Sequence, residues 1–561
     1  MAHSPILDAF RNLSRLSRLA ASKDVSLSTA REMQAEADAQ RLSRRQVLGG
    51  LGVTAAAATV AAMTGTARAK PVRGQPRIAI VGAGLAGLVC ADQLRRQGLS
   101  ATVYEAHPNR VGGRCFSDRT TFAGQVSENG GEFIDNGHKT MLAYAREFNL
   151  VREDLLRAPG ESRYRFFGGF HSEEDVVAEY RVLVERMRPD LQALGGGPTF
   201  FVHSDAEVGL DNTDLGTYLA TRAADLPLIR AVLSQAYTSE YGLEVDQQSC
   251  LNLLQFIHLD RRSHFAEFGV FSNERWHVVG GNDGITTALA NRLGGAVHRG
   301  ASLTRLGRNG LGEYELYFSG SATPERADAV VCALPFSVLR RLTLDASLGL
   351  SADKLRAIND LGYGTNVKTT VQFNRRVWAE QGANGHAYAD LANVQNTWET
   401  NYSAAGVGGL LTDYGSGDRG VELQLNSAGT MSCGGCHTGA PTNAILSPTG
   451  RDWIQAQMAA FVGDADRVFP GAAAAVSRRF DGSIVGQRAH WLPQPFSRGS
   501  YTCYKPGQFT GIAGLEPQAA GALKFAGEHT DSFYEWQGFM EGAALSGIQV
   551  AADVIARVVK R

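Results

Sequence analysis

The chain has 561 residues, 44% hydrophobic and 20% charged, the composition of a globular protein long enough for several domains or one two-domain enzyme. A net charge of −1 argues against a dedicated nucleic-acid or anionic-membrane surface, so no nucleic-acid partner is expected. Seven cysteines are too few, and odd in number, for a disulfide scaffold.

Residues 1–69 are expected to stand outside the fold. Ser43-Arg44-Arg45-Gln46-Val47-Leu48 has the paired arginines of a twin-arginine export signal, and Ala67-Arg68-Ala69 reads as a cleavage site. The run at 47–63 between them is rich in alanine and broken by Gly49, Gly50 and Gly52. It is too short and too poor in large apolar residues for a membrane span. The mature chain is therefore expected to begin near Lys70, periplasmic or secreted, with the twin-arginine machinery as its export partner.

The stretch at 77–105 organises the rest of the chain. Ile78, Ala79, Ile80 and Val81 form the short apolar run of a strand buried on both faces. Gly82-Ala83-Gly84-Leu85-Ala86-Gly87 comes next. Gly82 permits a tight turn, Gly84 a close backbone approach to a pyrophosphate, and Gly87 close packing of a helix on the sheet. A helix is predicted over 88–96, ended by Gly98, with its N-terminus facing the phosphates. Residues 101–104 form a second strand, and Glu105, with Ala106 beside it, closes it as an acid that can accept ribose hydroxyls. Strand, glycine turn, helix and acid at this distance predict dinucleotide binding. Gly112-Gly113-Arg114 can bring a planar guanidinium to a pyrophosphate. Gly130 and Gly131, ahead of Glu132 and Phe133, would let backbone lie against a flat ring.

In their order, GAGLAG, Glu105, GGR and GGEF resemble the flavin-containing amine oxidase family, which includes monoamine, polyamine and L-amino-acid oxidases. The resemblance continues through Arg275-Trp276-His277-Val278-Val279-Gly280-Gly281 and through residues 301–306, where Leu303 lies in the strand that covers the adenine in the family. It ends on Glu528 in Phe525-Ala526-Gly527-Glu528-His529 and on Phe539 and Met540 in the closing motif at 536–543. The resemblance implies FAD rather than NAD. It also implies an α/β fold, a Rossmann-like FAD-binding domain interleaved with an α+β substrate-binding domain. The FAD domain would take 70–150, 272–345 and 498–561, and the substrate domain 151–271 and 346–497. Helical spacing at 175–188, 214–236 and 285–293, and strand alternation at 314–318 and 367–373, agree with this.

Between 413 and 452 the composition shifts to Gly, Ser, Thr and Asn around Cys433-Gly434-Gly435-Cys436-His437. This CxxCH has the c-type haem spacing, but the insertion is short for a cytochrome domain, and haem c is attached to unfolded chains. A loop disulfide or free thiols is the expectation, with no metal site.

The resemblance also assigns the catalytic end. Ser500 stands where monoamine oxidases carry the flavin-linking cysteine, so FAD is expected to be non-covalent. Tyr501 and Phe539 match the two walls of the family's aromatic cage, and Trp491 is a further lining candidate. Lys368 matches a strand lysine that holds a water at flavin N5. Periodicity alone reads it as a solvated strand lysine. Burial beside the flavin would disfavour its charged form, and Lys368→Met is expected to spare folding. L-amino-acid oxidases of the venom type have a carboxylate-binding arginine where Phe133 stands, so an amine without a carboxylate is favoured. Glu132 or Asp135 is a candidate for a distal ammonium, or faces solvent. The expected reaction takes a hydride equivalent from a neutral amine, hydrolyses the imine to aldehyde and ammonia, and passes electrons to oxygen, giving hydrogen peroxide. The alternatives are an L-amino-acid oxidase, a dehydrogenase serving a periplasmic cytochrome, and a desaturase-like or non-catalytic flavoprotein of similar architecture. A homodimer is left open.

Overall fold

The computed structural model describes residues 76–195, 197–256, 272–425, 448–531 and 536–559. The export signal expected at 1–69 and Cys433, Cys436 and His437 lie outside the described residues.

Ile78–Val81 is buried at every position because it is the middle strand of a five-stranded parallel sheet. The order is Leu523–Phe525, Ala329–Cys332, Ile78–Val81, Ala101–Glu105, Val297–Arg299. Alternation sends its side chains to two different cores. Ile78 and Ile80 join Leu88, Val89, Leu94, Ala544 and Val550, from the helices Leu85–Arg96 and Met540–Val559. A Cβ on Gly547 would lie 2.4 Å from the Ala86 carbonyl oxygen, so those helices approach closely because that position is glycine. Ala79 and Val81 join Leu306, Tyr314 and Leu316, from a four-stranded sheet in the order Glu325–Ala327, Tyr314–Phe318, Leu303–Arg308, Thr343–Leu344.

A seven-stranded sheet runs Gly486–His490, Val367–Phe373, Gly409–Gly415, Val394–Glu399, Ala383–Leu391, Glu161–Phe166, Gly169–His171. The strands of the parallel sheet come from 70–150, 272–345 and 498–561, and those of the seven-stranded sheet from 151–271 and 346–497.

Three expectations change. The helix predicted at 88–96 begins earlier, as Leu85–Arg96, so Gly87 lies in its first turn. The helix predicted at 214–236 is two helices, Leu215–Arg222 and Pro227–Tyr241. Pro227 has no N–H to continue the first helix and starts the second, while Leu226 before it leaves helical geometry. Val367–Phe373 has no solvated face. Val371 and Phe373 pack with Met458, Phe461 and Val462 from the helix Pro448–Val468, and the opposite face turns toward a cavity.

Candidate active site

One cavity of about 450 Å³ runs from the glycine turn to the seven-stranded sheet. At its first end Gly82 holds φ +103°, open to glycine, and its amide donates to the Tyr104 carbonyl at 2.8 Å. Gly84 begins the helix with no side-chain cap and no acid in the first turn, so the amides at this helix start are left for an anion. The nearest atom to a Cβ on Gly84 would be 4.0 Å away, whereas a Cβ on Gly87 would lie 2.0 Å from the Gly82 carbonyl oxygen. Gly84 therefore opens on the cavity, and Gly87 serves packing. Leu85, Ala86 and Ala106 line the cavity, but Ala83 and Gly87 do not. Ala83 lies behind the wall, its amide donating to Glu105 Oε2 at 2.9 Å.

Glu105 lines the cavity, and its Oε1 accepts the His107 amide at 2.7 Å. Burial raises its pKa above the usual carboxylate range, against the pull of these amides. Ala301, Leu303, Leu334 and Pro335 supply apolar lining, with Ser302 among them. An uncapped helix N-terminus, a carboxylate and an apolar wall suit a pyrophosphate, a ribose and an adenine. The residues present fit a dinucleotide.

The middle of the cavity joins segments distant in sequence. Arg114 Nη1 donates to Glu528 Oε1 at 2.8 Å and to the Ser500 carbonyl at 2.6 Å. Glu528 Oε2 accepts from Thr502 Oγ1 at 2.8 Å and from the Gly538 amide at 3.1 Å. Gly113, Arg114, Ser500 and Glu528 all line the cavity, and Arg114 has a carboxylate partner that its motif does not reveal. The paired glycines line the cavity and have a packing reason besides the one expected. A Cβ on Gly130 would lie 1.7 Å from the Arg114 carbonyl oxygen, and one on Gly131 would lie 2.8 Å from Met540 Cγ. Close packing with Arg114 and Met540 excludes side chains there, whatever ring lies beyond.

The far end is built on one face of the seven-stranded sheet. Lys368 pairs with Tyr414 across the strands, and Tyr388 with Asn396. Trp398, two residues after Asn396, shares their face. With Lys368, these side chains line the cavity together with Glu132, Phe133, Glu240, Tyr241, Glu274, His386, Tyr501 and Phe539. Lys368 is 5% exposed and ion-paired to Glu132 at 2.6 Å. Glu132 is therefore committed within the site. Asp135 is withdrawn from it: its Oδ1 accepts the amides of Asn273 and Glu274 and the hydroxyl of Ser272. Tyr501 donates to the Glu240 carbonyl and accepts from Tyr414 at 3.2 Å. Burial, then nearby Glu240, pushes the Tyr414 phenol up, and burial with Tyr414 and Glu240 does the same for Tyr501, so both stay neutral. A Cβ on Gly538, the residue before Phe539, would lie 3.6 Å from Tyr501 Cδ2. Phe539 rests against His138, with ring centroids 5.3 Å apart. Trp491 lines the cavity but donates from Nε1 to the Asn129 carbonyl at 2.9 Å, bracing the segment before Gly130.

Sequence reasoning missed Trp398, Tyr414, Tyr388, Glu240 and Glu274. Alternate polar and aromatic residues at 396, 398 and 414 were the available signal, but only strand register shows that they meet Lys368.

The chain matches the family model described as flavin containing amine oxidoreductase over residues 85–428 and 458–555. It is 25% identical to YobN of Bacillus subtilis (strain 168), provisionally named an L-amino-acid oxidase, over 85% of this chain and 94% of that protein. Among solved structures it resembles a putrescine oxidase bound to putrescine, with a TM-score of 0.69 and 21% identity, covering 86% of this chain and 99% of that one. It also resembles cyclohexylamine oxidase from Brevibacterium oxydans IH-35A, with a TM-score of 0.67 and 19% identity, covering 87% and 100% of the two chains. The family match spans both ends of the cavity, and the chain belongs to the flavin-containing amine oxidoreductases, FAD-dependent enzymes that oxidise CH–NH2 donors.

Proposed function

We propose that the protein is an exported oxidase of a cationic amine that lacks an α-carboxylate, using non-covalent FAD. The observation that carries the substrate class is the wall around Lys368. Phe133 stands in it with Trp398 edge-on at 5.5 Å, and Glu240, Glu274, Tyr414 and Tyr501 line the same cavity. An ammonium is attracted by carboxylates and aromatic faces. An α-carboxylate placed beside Glu240 and Glu274 would meet like charge, which opposes it.

Bound FAD supplies the two-electron chemistry, taking a hydride equivalent from the carbon that bears nitrogen and handing the electron pair to oxygen. The chain supplies the rest. Tyr501 and Phe539 line the approach, Glu240 and Glu274 add carboxylates to its wall, and Lys368 places an N–H donor there. The names of the putrescine and cyclohexylamine oxidases favour this reading, while that of YobN favours an amino acid. Export rests on Arg44, Arg45 and the cleavage pattern at Ala67–Ala69.

The deciding experiment mixes the purified protein anaerobically with amines and their matching α-amino acids, then admits air. Amines should bleach the flavin faster, and air should restore the colour with release of peroxide. Faster bleaching by the amino acids would overturn the substrate assignment. Colour that returns only with an added cytochrome would overturn the oxidase assignment.

A further inference from the structure

Lys368 is held by more than its strand. Its Nζ donates to Glu132 Oε2 at 2.6 Å and to the Gly130 carbonyl at 2.8 Å. An ammonium has three N–H donors, so fixing two sets the axis of the third. The other Glu132 oxygen, Oε1, accepts from Trp398 Nε1 at 3.0 Å. Lysine, carboxylate and indole thus form a closed chain across the cavity wall, and the Glu132 side chain is 3% exposed. The ammonium also lies 5.4 Å from the Trp398 ring and 5.8 Å from the Tyr414 ring. Glu132 comes from the glycine-paired loop and Trp398 from the sheet, so the chain ties the two walls together.

On the reading of this cavity as the flavin and amine site, we infer that Glu132 is a positioning residue that fixes the Lys368 ammonium and cancels its charge, with Trp398 Nε1 holding the carboxylate in turn. Coulomb's law gives this pairing two consequences. The paired site is electrically neutral, so an arriving ammonium is not repelled by Lys368. The lysine, held in one place by two hydrogen bonds, keeps a constant influence on the flavin.

The test uses Glu132→Gln, Lys368→Met and the double variant, each as the FAD-loaded protein. The glutamine side chain of E132Q keeps the shape of the glutamate and an acceptor for Trp398. The first readout is the flavin midpoint potential, measured without any amine. Loss of the carboxylate should raise it, loss of the ammonium should lower it, and the double variant should return close to wild type. The second is steady-state kinetics on the best amine. E132Q should raise KM roughly tenfold or more, and the double variant should be no worse than K368M, because a residue acting through Lys368 has nothing left to position. Additive losses in the double variant would mean that Glu132 meets the substrate independently and would overturn the inference. So would midpoint potentials that stay at the wild-type value in both single variants. If E132Q fails to fold, the double variant, which leaves no unpaired buried charge, is read against K368M alone. A higher potential with equal kinetics supports the inference, and an unchanged potential or slower kinetics overturns it. The potential needs no substrate, so the pair can be confirmed in a protein that oxidises no amine, and that result would reject only the functional reading.

Discussion

At position 368 the sequence offers two opposed readings, a solvated strand lysine and a group beside the flavin, and burial excludes the first. The partner changes the expectation for its removal. Lys368→Met leaves Glu132 with Trp398 Nε1 and no cation, and an uncompensated buried carboxylate costs on the order of 3–5 kcal/mol. The variant should therefore fold but melt at a lower temperature, which corrects the expectation of an untouched fold. Its flavin reduction or reoxidation should slow by about tenfold or more. Differential scanning fluorimetry and stopped-flow traces measure the two effects, and wild-type values in both would remove Lys368 from the site. Ser500 supports a second prediction at this scale. It is buried at the cavity wall and donates to Asn366 through its hydroxyl, and a serine cannot form a thioether. Cys503 is also buried and does not line the cavity. Acid precipitation should release all the flavin into the supernatant, and yellow colour retained in the washed pellet would contradict this.

Among the elements, the short strand Trp276–Val278 carries a buried charge cluster. It pairs antiparallel with Arg152–Asp154, setting His277 opposite Glu153. His277 is buried, with Nδ1 2.7 Å from Glu153 Oε1 and Nε2 3.0 Å from Glu128 Oε1. Burial alone would lower its pKa, but the hydrogen bonds and charges of Glu128 and Glu153 prevail and raise it to about 10. Glu128 also accepts the Asn282 amide and the Ser117 hydroxyl, so the imidazolium clamps the strand that leads into Gly130. A raised folded pKa means that the folded state keeps a proton the unfolded chain gives up. The stabilisation is therefore complete below about pH 6.5 and is lost as pH rises through about 10. Urea unfolding across this range should show stability falling with pH, and His277→Gln should be less stable at neutral pH and lack that component of the slope. Parallel curves for the two proteins would show that His277 does not carry it.

Across the whole molecule, the FAD site cannot exist before the chain has folded. The glycine turn at 82–87, the wall at Leu303 and the carboxylate of Glu528 come together only when the parallel sheet has assembled from strands as distant as Ile78–Val81 and Leu523–Phe525. Arg114 and Glu528 meet across 414 residues of sequence. Such a cofactor is loaded into a folded protein, which is the cargo a twin-arginine route carries. Arg44→Lys together with Arg45→Lys should leave FAD-loaded protein in the cytoplasmic fraction of an expressing cell, while the unaltered chain reaches the periplasm. Equal fractionation of the two would refute this route.

The sequence by itself determined the nucleotide end, because its chemistry is local. A strand, a turn that needs glycine at φ +103°, a helix start and Glu105 lie within about thirty residues, and each has a residue preference set by backbone geometry. The spaced motifs also placed Arg114, Leu303, Tyr501, Glu528 and Phe539 on one cavity. Tertiary structure alone decided what those residues face. A period of two shows that Lys368, Thr370 and Gln372 share a side of their strand, but not that Tyr414 lies opposite Lys368 or that a helix covers the other side. It gave Gly130 and Gly131 their reason in Arg114 and Met540, withdrew Asp135 to the backbone at 273–274, and joined Glu132 to Lys368 across 236 residues. Register, helix cover and ion pairs of this kind are set by packing between distant segments, and no local preference encodes them.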